Sequence, residues 1–273
     1  MLFKKKREVV LGQYEYTMGK ELDLKAEQAR TLATPKLPAN LILKLMFWQF
    51  DVLYGKPRSL PKVMVLEILA RYPYWAWENG AYHLLSKLYS GTKKVPVEKV
   101  EVALRHIQMG RESQDNEQWH MLLWADLCHQ TGIKLCWLRH FVIPKTMTLV
   151  YFFITRIMYW LNPVWSFAMN AAFESHAEHE YMLYAQEHPE FETLPVDSVW
   201  FTPYQQKSQL SQESEAGDAR NIVAEAGGSK HCGAGFKYYP RQKSLADLVR
   251  RVGLDERDHM NHSLEEIQRL KRS

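Results

Sequence analysis

The sequence predicts an all-α fold, an antiparallel four-helix bundle with additional helices that bind a membrane interface. Long segments carry apolar residues at the 3.6-residue spacing of amphipathic helices, and proline or glycine separates these segments. Four of the segments also carry a glutamate on the face expected to be buried. Two of these four glutamates are followed three residues later by a histidine, a spacing that places both side chains on one side of a helix.

The composition indicates a folded protein that is large enough to bury a substantial core. The chain has 273 residues, of which 46% are hydrophobic, and it contains nine tryptophans and fourteen tyrosines. Its net charge of +4 is mild for this length, and we expect no nucleic-acid partner. Three cysteines offer no metal-ligand spacing.

We divide the chain into a bundle domain, an N-terminal region and an insertion. Residues 1–60 are predicted to form an N-terminal arm and a short helix: the first forty residues form an irregular arm, and a short helix covers 41–53. Residues 61–204 and 236–273 are predicted to form the bundle. Residues 205–235, rich in Gln, Ser, Glu, Ala and Gly, are predicted to be a flexible insertion.

The bundle helices follow from the periodicity in chain order. The first covers about 62–89, with a kink expected at Pro73 because proline removes a backbone hydrogen bond. A helix over 97–109, a polar break over 110–115 and a second helix are predicted next. The last two bundle helices cover about 163–186 and 244–270.

The apolar run 146–160 predicts an interfacial helix and not one that crosses a membrane. Arg156 lies in its middle and Asn162-Pro163 interrupts it, whereas a spanning helix needs about 20 predominantly apolar residues. Its Trp, Tyr and Phe side chains suit the headgroup level of one leaflet. The aromatic residues of 62–89, Tyr72, Tyr74, Trp75 and Trp77, are expected beside it. The alternative is that both stripes are ordinary core or a dimer interface.

The glutamates and histidines form a candidate metal site. A Glu from each of two helices, with Glu-x-x-His from each of two others, is the ligand set of ferritin-like di-iron bundles. The candidate ligands are Glu67, Glu117, His120, Glu174, Glu256 and His259. The two lone glutamates either bridge the metals or complete their coordination. Four carboxylates in one interior would repel each other, and two divalent cations would neutralise them. Oxygen-rich ligation with one imidazole per metal favours iron or manganese over zinc.

Other residues near these ligands are weaker candidates. Asn116 and Asp255 each precede a ligand glutamate, and we expect them to form hydrogen bonds behind the ligands unless they are surface residues. His176 and His179 flank Glu174, but helical geometry directs them away from it, so they are not assigned as ligands. Tyr181 lies two turns after Glu174 on the same face, either as a source of an electron and a proton or as a buried structural tyrosine.

At these residues the chain resembles the alternative oxidases. The resemblance is carried by VLEILARYPYWAW, NEQWHMLLW, ESHAEHEYMLY and LDERDHMNH, in this order and at the family's approximate spacing. Within that family, the first and third stretches are most similar to the plastid terminal oxidase branch.

The resemblance implies an interfacial, homodimeric enzyme with two iron ions, which oxidises quinol and reduces O₂ to water without pumping protons. The quinol would be ubiquinol or plastoquinol, and the membrane could be bacterial, thylakoid or mitochondrial. The six candidate residues become the iron ligands, and Tyr181 becomes the redox-active tyrosine. Quinol is expected near Lys62 and Leu66. The family usually has Arg at the position of Lys62, and a lysine lacks the planar fork of a guanidinium.

Two other functions use the same residues differently. A di-iron monooxygenase would hydroxylate a quinone precursor or a lipid and keep one oxygen atom in its product. A non-catalytic membrane-associated or metal-storage protein would bind the metal without consuming O₂.

Overall fold

The regular structure is helical throughout the residues described by a computed structural model, which are 14–18, 20–91, 96–201, 204 and 242–272. The prediction of an all-α fold is therefore confirmed. Within these residues there are seven α-helices: α1 (Leu24–Ala33), α2 (Leu41–Tyr54), α3 (Leu60–Tyr89), α4 (Val97–Gln130), α5 (Ile143–Leu161), α6 (Pro163–Glu187) and α7 (Leu245–Arg272). A π-helical stretch, Leu138–Val142, leads into α5, and a 3₁₀ turn, Pro189–Glu192, follows α6. The predicted insertion, 205–235, lies outside the described residues.

Helices α3, α4, α6 and α7 form the bundle, and neighbouring helices run antiparallel. Contacts between α3 and α4 pair Arg71 with Gln118, and further along pair Glu78 with Gln114. Helices α6 and α7 are paired in the same reversed order, because Glu178 contacts Arg257 and the earlier Asn170 contacts the later Ser263. The apolar faces of these helices meet in one large hydrophobic cluster and two smaller ones.

Helix α3 buries the face that carries Glu67, as expected from the sequence, and it continues through Pro73 without ending. Pro61 lies in its first turn, where the missing N–H of proline removes no helical hydrogen bond. The stripe residues Val63, Leu66, Glu67, Ala70, Tyr74, Trp77 and Ala81 are all buried.

The predicted break at 110–115 is wrong, because α4 is one continuous helix of 34 residues. The glycine and the polar residues that suggested a break have a packing role. A Cβ on Gly110 would lie 2.8 Å from the carbonyl oxygen of Tyr74, so the glycine lets α3 and α4 approach closely. Gln114 and Arg111 then bind Glu78 on the outer side of this contact.

The irregular N-terminal arm is also a wrong prediction, because it contains α1. Asp23 begins α1 by accepting hydrogen bonds from the backbone N–H groups of Lys25 and Ala26. Helix α1 then packs on α6 and α7, where Thr31 donates to Glu178 at 2.7 Å and Gln28 donates to the Met182 carbonyl at 2.6 Å.

Helices α2 and α5 lie on the outside of the bundle with apolar residues exposed. Helix α5 packs on α3 and α6 through one face and exposes the other. Helix α2 exposes a stripe spaced at whole helical turns. The exposed apolar residues are Leu41, Leu45, Trp48 and Val52 on α2, and Leu149, Val150, Phe153, Ile157, Trp160 and Leu161 on α5.

The aromatic residues of α3 that were expected beside the interfacial helix are divided between two environments. Tyr74 and Trp77 are buried in the core, so for these two residues the alternative of ordinary core is correct and the interfacial position is wrong. Trp75 is partly exposed and packs on Phe152 of α5. Within the described residues, the stretch Leu138–Leu161 is the one helical segment long and apolar enough to cross a membrane. Length and composition alone do not distinguish a spanning helix from one that lies along a membrane surface.

Candidate metal centre

The six predicted ligand residues converge in the middle of the bundle, and all of them are buried. Each of the four bundle helices contributes at least one of them. They form two overlapping groups, Glu67, Glu117, His120 and Glu256 in one and Glu117, Glu174, Glu256 and His259 in the other. In each group the candidate ligand atoms lie within 4.8 Å of one another, a spacing that a single metal ion can span.

Glu117 and Glu256 belong to both groups. In each of them, one carboxylate oxygen faces His120 and the other faces His259. Oε2 of Glu117 lies 3.7 Å from His120 Nδ1, and its Oε1 lies 2.7 Å from His259 Nδ1. Glu256 repeats the pattern, with Oε1 at 3.4 Å from His120 and Oε2 at 3.7 Å from His259. These two carboxylates are therefore arranged to bridge two metal positions.

The lone glutamates lie at opposite ends of the site. Glu67 belongs only to the group with His120, and Glu174 only to the group with His259. Of the two roles left open by the sequence, this placement favours terminal coordination, because neither Glu67 nor Glu174 belongs to both groups.

The unpaired polar atoms of these residues fit a pair of metal cations. Among the described residues, nine buried side-chain oxygen and nitrogen atoms of the six ligands make no hydrogen bond of acceptable geometry, although Glu117 Oε1 and His259 Nδ1 lie close to each other. Buried polar atoms are rarely left unpaired in proteins, so such a concentration requires an explanation. Four carboxylates and two imidazoles with inward-facing free atoms are the donor set that two iron ions would use.

The ionisation of the ligands shows the same need for positive charge. Burial, together with repulsion from neighbouring glutamates, raises the pKa of Glu67 and of Glu174 well above the usual value. Burial opposes the charged form of His120, but Asp255 and the ligand carboxylates outweigh it and raise its pKa. Without cations, the site would have to hold protons in their place.

A buried network behind the site orients His120. Its Nε2 lies 3.0 Å from Oδ2 of Asp255, which leaves Nδ1 to face the glutamates. Asp255 in turn accepts hydrogen bonds from Arg251 at 3.2 Å and from the Tyr204 hydroxyl at 2.6 Å. The structure thus places Asp255 where the sequence analysis expected a supporting residue, and adds Arg251 and Tyr204, which that analysis did not identify.

Asn116 lies beside Glu117 and is half-buried. Its side-chain oxygen makes no hydrogen bond with any residue that the structure describes. His176 and His179 do not join the ligands. His179 contacts the carbonyls of Ser175 and Thr34, and His176 stacks on Phe47.

Tyr74 is a further residue of the site that the sequence analysis did not identify. Its hydroxyl donates to Oε1 of Glu174 at 2.5 Å, and its ring packs edge-on against His259 with the centroids 5.5 Å apart. A signal for this role was present in the sequence, because Tyr74 lies two helical turns after Glu67 on the buried stripe.

The residues expected to handle quinol and electrons are buried around the site. The Tyr181 hydroxyl accepts a hydrogen bond from Trp124 Nε1 at 3.0 Å, and the two rings are stacked. Lys62 is bound by Asp51 at 2.7 Å and by the carbonyl of Gly55 at 2.8 Å, which ties the start of α3 to the end of α2. Leu66 is buried one residue before the ligand Glu67.

Comparison with known proteins agrees with this geometry. The family model described as alternative oxidase matches residues 20–266, which is most of the chain and includes all six ligands. No curated protein and no solved structure gives a significant match. The match and the paired groups of buried ligands together show that the chain belongs to the alternative oxidase family of di-iron quinol oxidases.

Proposed function

We propose that the protein is a membrane-associated quinol oxidase that couples the oxidation of two quinols to the reduction of one O₂ to two waters, without pumping protons. The single observation that carries this proposal is the pair of buried ligand groups that share Glu117 and Glu256. Two iron ions held there would bind O₂ and pass electrons to it. The bundle, a ferritin-like domain in this proposal, comprises 61–204 and 236–273.

The exposed apolar faces of α2 and α5 support binding to a membrane. Exposed apolar patches of this kind mark interaction surfaces, and both helices carry tryptophan at positions suited to headgroup depth. The two helices approach the same residue of the bundle, because Phe47 of α2 and Tyr151 of α5 both pack on Phe173 of α6. Together they would form one apolar surface.

Attachment to one leaflet suits the fold better than a spanning helix. Helix α5 packs along α3, with Trp75 against Phe152 and Asn79 bound to Arg156. If α5 crossed the bilayer, α3 and its partner α4 would be drawn into the hydrocarbon region with their outward charges, among them Glu78 and Arg111. Charged side chains at that depth cost several kcal/mol each, about 2.5–3.5 kcal/mol on insertion scales.

The inner faces of α2 and α5 both reach the helix that carries the ligand Glu174. Phe173, which contacts both outer helices, immediately precedes the ligand Glu174. In this proposal a quinol dissolved in the membrane enters between these two helices and reaches the site without crossing water. In this proposal Lys62 and Leu66 line its approach. Tyr181 supplies an electron and a proton to the reduction of O₂, with its hydroxyl oriented by Trp124.

Oxygen uptake by the purified protein tests the reaction. We expect consumption of one O₂ per two quinols with ubiquinol-1 or decyl-plastoquinol, with no oxygenated product. Tyr181→Phe should lower the rate strongly while iron content stays unchanged, and full activity in this variant would remove the role of the tyrosine. An oxygenated product would favour the monooxygenase. If Glu117→Ala loses iron but the iron-loaded parent protein consumes no O₂ with either quinol, the protein is a metal-storage or other non-catalytic protein.

Flotation with lipid vesicles tests the membrane surface. The double variant Trp48→Lys with Phe153→Lys should bind vesicles much more weakly than the parent protein. Leu104→Lys, at an exposed leucine of α4 outside the proposed surface, is the matched control and should bind normally. Release by carbonate would agree with attachment to one leaflet, whereas retention would indicate a spanning helix. We also propose a homodimer, which sedimentation of the detergent-solubilised protein would detect.

A further inference from the structure

The two terminal glutamates of the metal centre differ in how many of their oxygen atoms are free. Both carboxylate oxygens of Glu67 lack a hydrogen-bond partner among the described residues. In Glu174, only Oε2 lacks a hydrogen-bond partner among the described residues. Its Oε1 accepts a hydrogen bond from the Tyr74 hydroxyl at 2.5 Å. The two ends of the site are therefore unequal before any metal is bound.

The direction of the hydrogen bond to Glu174 follows from the second partner of the Tyr74 hydroxyl. The amide nitrogen of Asn170 lies 3.2 Å from this hydroxyl, and an amide nitrogen can only donate. Since the hydroxyl oxygen accepts from Asn170, its single proton is available for Glu174. With cations bound, Glu174 would be ionised, and a phenol that donates to a carboxylate at this distance forms a charge-assisted hydrogen bond, which is stronger than one between neutral groups.

Tyr74 is held rigidly in this position. The residue is 1% exposed, and its ring packs edge-on against Trp77 and against His259. Asn170, which orients the hydroxyl, is itself buried and also donates to Ser263 of α7. Tyr74 thereby links three bundle helices at the end of the site that Glu174 occupies.

We propose that Tyr74 is a positioning residue that keeps Oε1 of Glu174 away from the metal. Glu174 then binds through Oε2 alone, whereas Glu67 is free to bind through both oxygens. The end of the site with Glu174 and His259 thus keeps one more position for a small ligand than the end with Glu67 and His120. This inference rests on the di-iron centre and not on the identity of the substrate.

Tyr74→Phe tests the inference, because phenylalanine keeps the packed ring and removes only the hydroxyl. In Mössbauer spectra of the iron-loaded parent protein we expect two distinct doublets of equal area. In Tyr74→Phe both oxygens of Glu174 are free, so the doublets should converge. Azide should bind to the oxidised iron-loaded variant at least about tenfold more weakly, as expected for the loss of one hydrogen bond to a charged group.

Tyr151→Phe is the matched control. Tyr151 is also buried, and its hydroxyl has no hydrogen-bond partner among the described residues. This variant should keep both doublets and the parent affinity for azide. Asn170→Leu removes the group that orients the Tyr74 hydroxyl. In this variant the separation of the doublets and the affinity for azide should change in the same direction as in Tyr74→Phe, but by less.

Two results would overturn the inference. One is a Tyr74→Phe protein with two irons whose doublets and azide affinity equal those of the parent. The other is an equal change in Tyr151→Phe, which would show that loss of any buried hydroxyl produces the effect. If Tyr74→Phe fails to fold, Asn170→Leu decides, and an unchanged spectrum in that variant would count against the inference.

Discussion

The imidazole of His120 shows how a single buried side chain is prepared for a metal. Its Nε2 is paired with Asp255, so the free Nδ1 points towards three carboxylates. Asp255 carries this role because burial, which would raise its pKa, is outweighed by Arg251 and by His120, and the pKa falls to about 2. The carboxylate is therefore ionised at neutral pH and stabilises one orientation of the ring.

Asp255→Asn should weaken iron binding by about 10–100-fold, the usual effect of losing a carboxylate behind a metal-bound histidine. The amide keeps the shape of the side chain but loses its charge. Titration of the metal-free protein with ferrous iron measures the change. Asp247→Asn, on the same helix but partly exposed and paired with Arg250, should bind iron like the parent. Equal affinity in Asp255→Asn would show that the hydrogen bond to His120 is not needed.

His176 contributes a pH dependence of stability that is separate from the ligands. Burial, and then the positive charge of Lys36, lowers the pKa of His176 to about 4. In the unfolded chain a histidine has a pKa of about 6.5. Between these values the unfolded state binds a proton that the folded state does not, so the free energy of unfolding should fall as the pH falls.

His176→Gln should reduce this loss of stability between about pH 6.5 and pH 4 by roughly 2–3 kcal/mol. The stability of the variant at higher pH should be lower than that of the parent, since the stacking on Phe47 is lost. The quantity tested is the slope of the free energy of unfolding against pH. Denaturant unfolding across this range gives the measurement. His83→Gln, at an exposed histidine, should keep the slope of the parent. An unchanged slope in His176→Gln would contradict the assignment.

Among the helices, the close contact of α3 with α4 decides how near Glu67 comes to Glu117 and His120. Gly110 makes this contact possible, with the backbone of Tyr74 directly opposite. Backbone atoms cannot move aside as a flexible side chain can, so the two helices would have to separate to admit a methyl group.

Gly110→Ala should therefore lower the melting temperature, by an amount that corresponds to about 1–3 kcal/mol. Helix propensity alone would favour alanine by about 1 kcal/mol, so the sign of the effect separates the two causes. Gly91→Ala is the control, because among the described residues its added Cβ would meet only the Leu88 carbonyl, at an ordinary distance of 3.6 Å. A Gly110→Ala protein as stable as the parent would show that α3 and α4 can separate without cost.

Across the whole molecule, α7 is held by segments far away in the chain. Asp258, one residue before the ligand His259, accepts hydrogen bonds from the backbone N–H groups of Thr17 and Met18 at 2.7 and 2.6 Å. Arg257 binds Glu178 of α6 and Glu27 of α1. The N-terminal region thus stabilises the helix that provides two of the six ligands.

Removal of the metal should lower the stability of the whole bundle. Four buried carboxylates and two imidazoles would then have to be satisfied by protons alone, which costs free energy in a low-dielectric interior. We expect a chelator to lower the melting temperature by several degrees, and stoichiometric ferrous iron to restore it. Glu117→Ala, which lacks a carboxylate shared by both ligand groups, should respond much less to the chelator. A melting temperature that does not change with metal would contradict a cation-stabilised core.

Local patterns in the sequence determined the helical class, the buried face of α3 and the six residues that the structure brings together. These features depend on the 3.6-residue period and on the i, i+3 spacing, which are properties of one helix at a time. Other features depend on atoms far apart in the chain. The continuity of α4 follows from Gly110 meeting Tyr74, and α1 forms where it can pack on α6 and α7. Only the tertiary structure decided that both ligand groups share Glu117 and Glu256, and that the Tyr74 hydroxyl binds one oxygen of Glu174. The physical reason is that the packing of four helices, and not any one helix, sets which oxygen faces which partner.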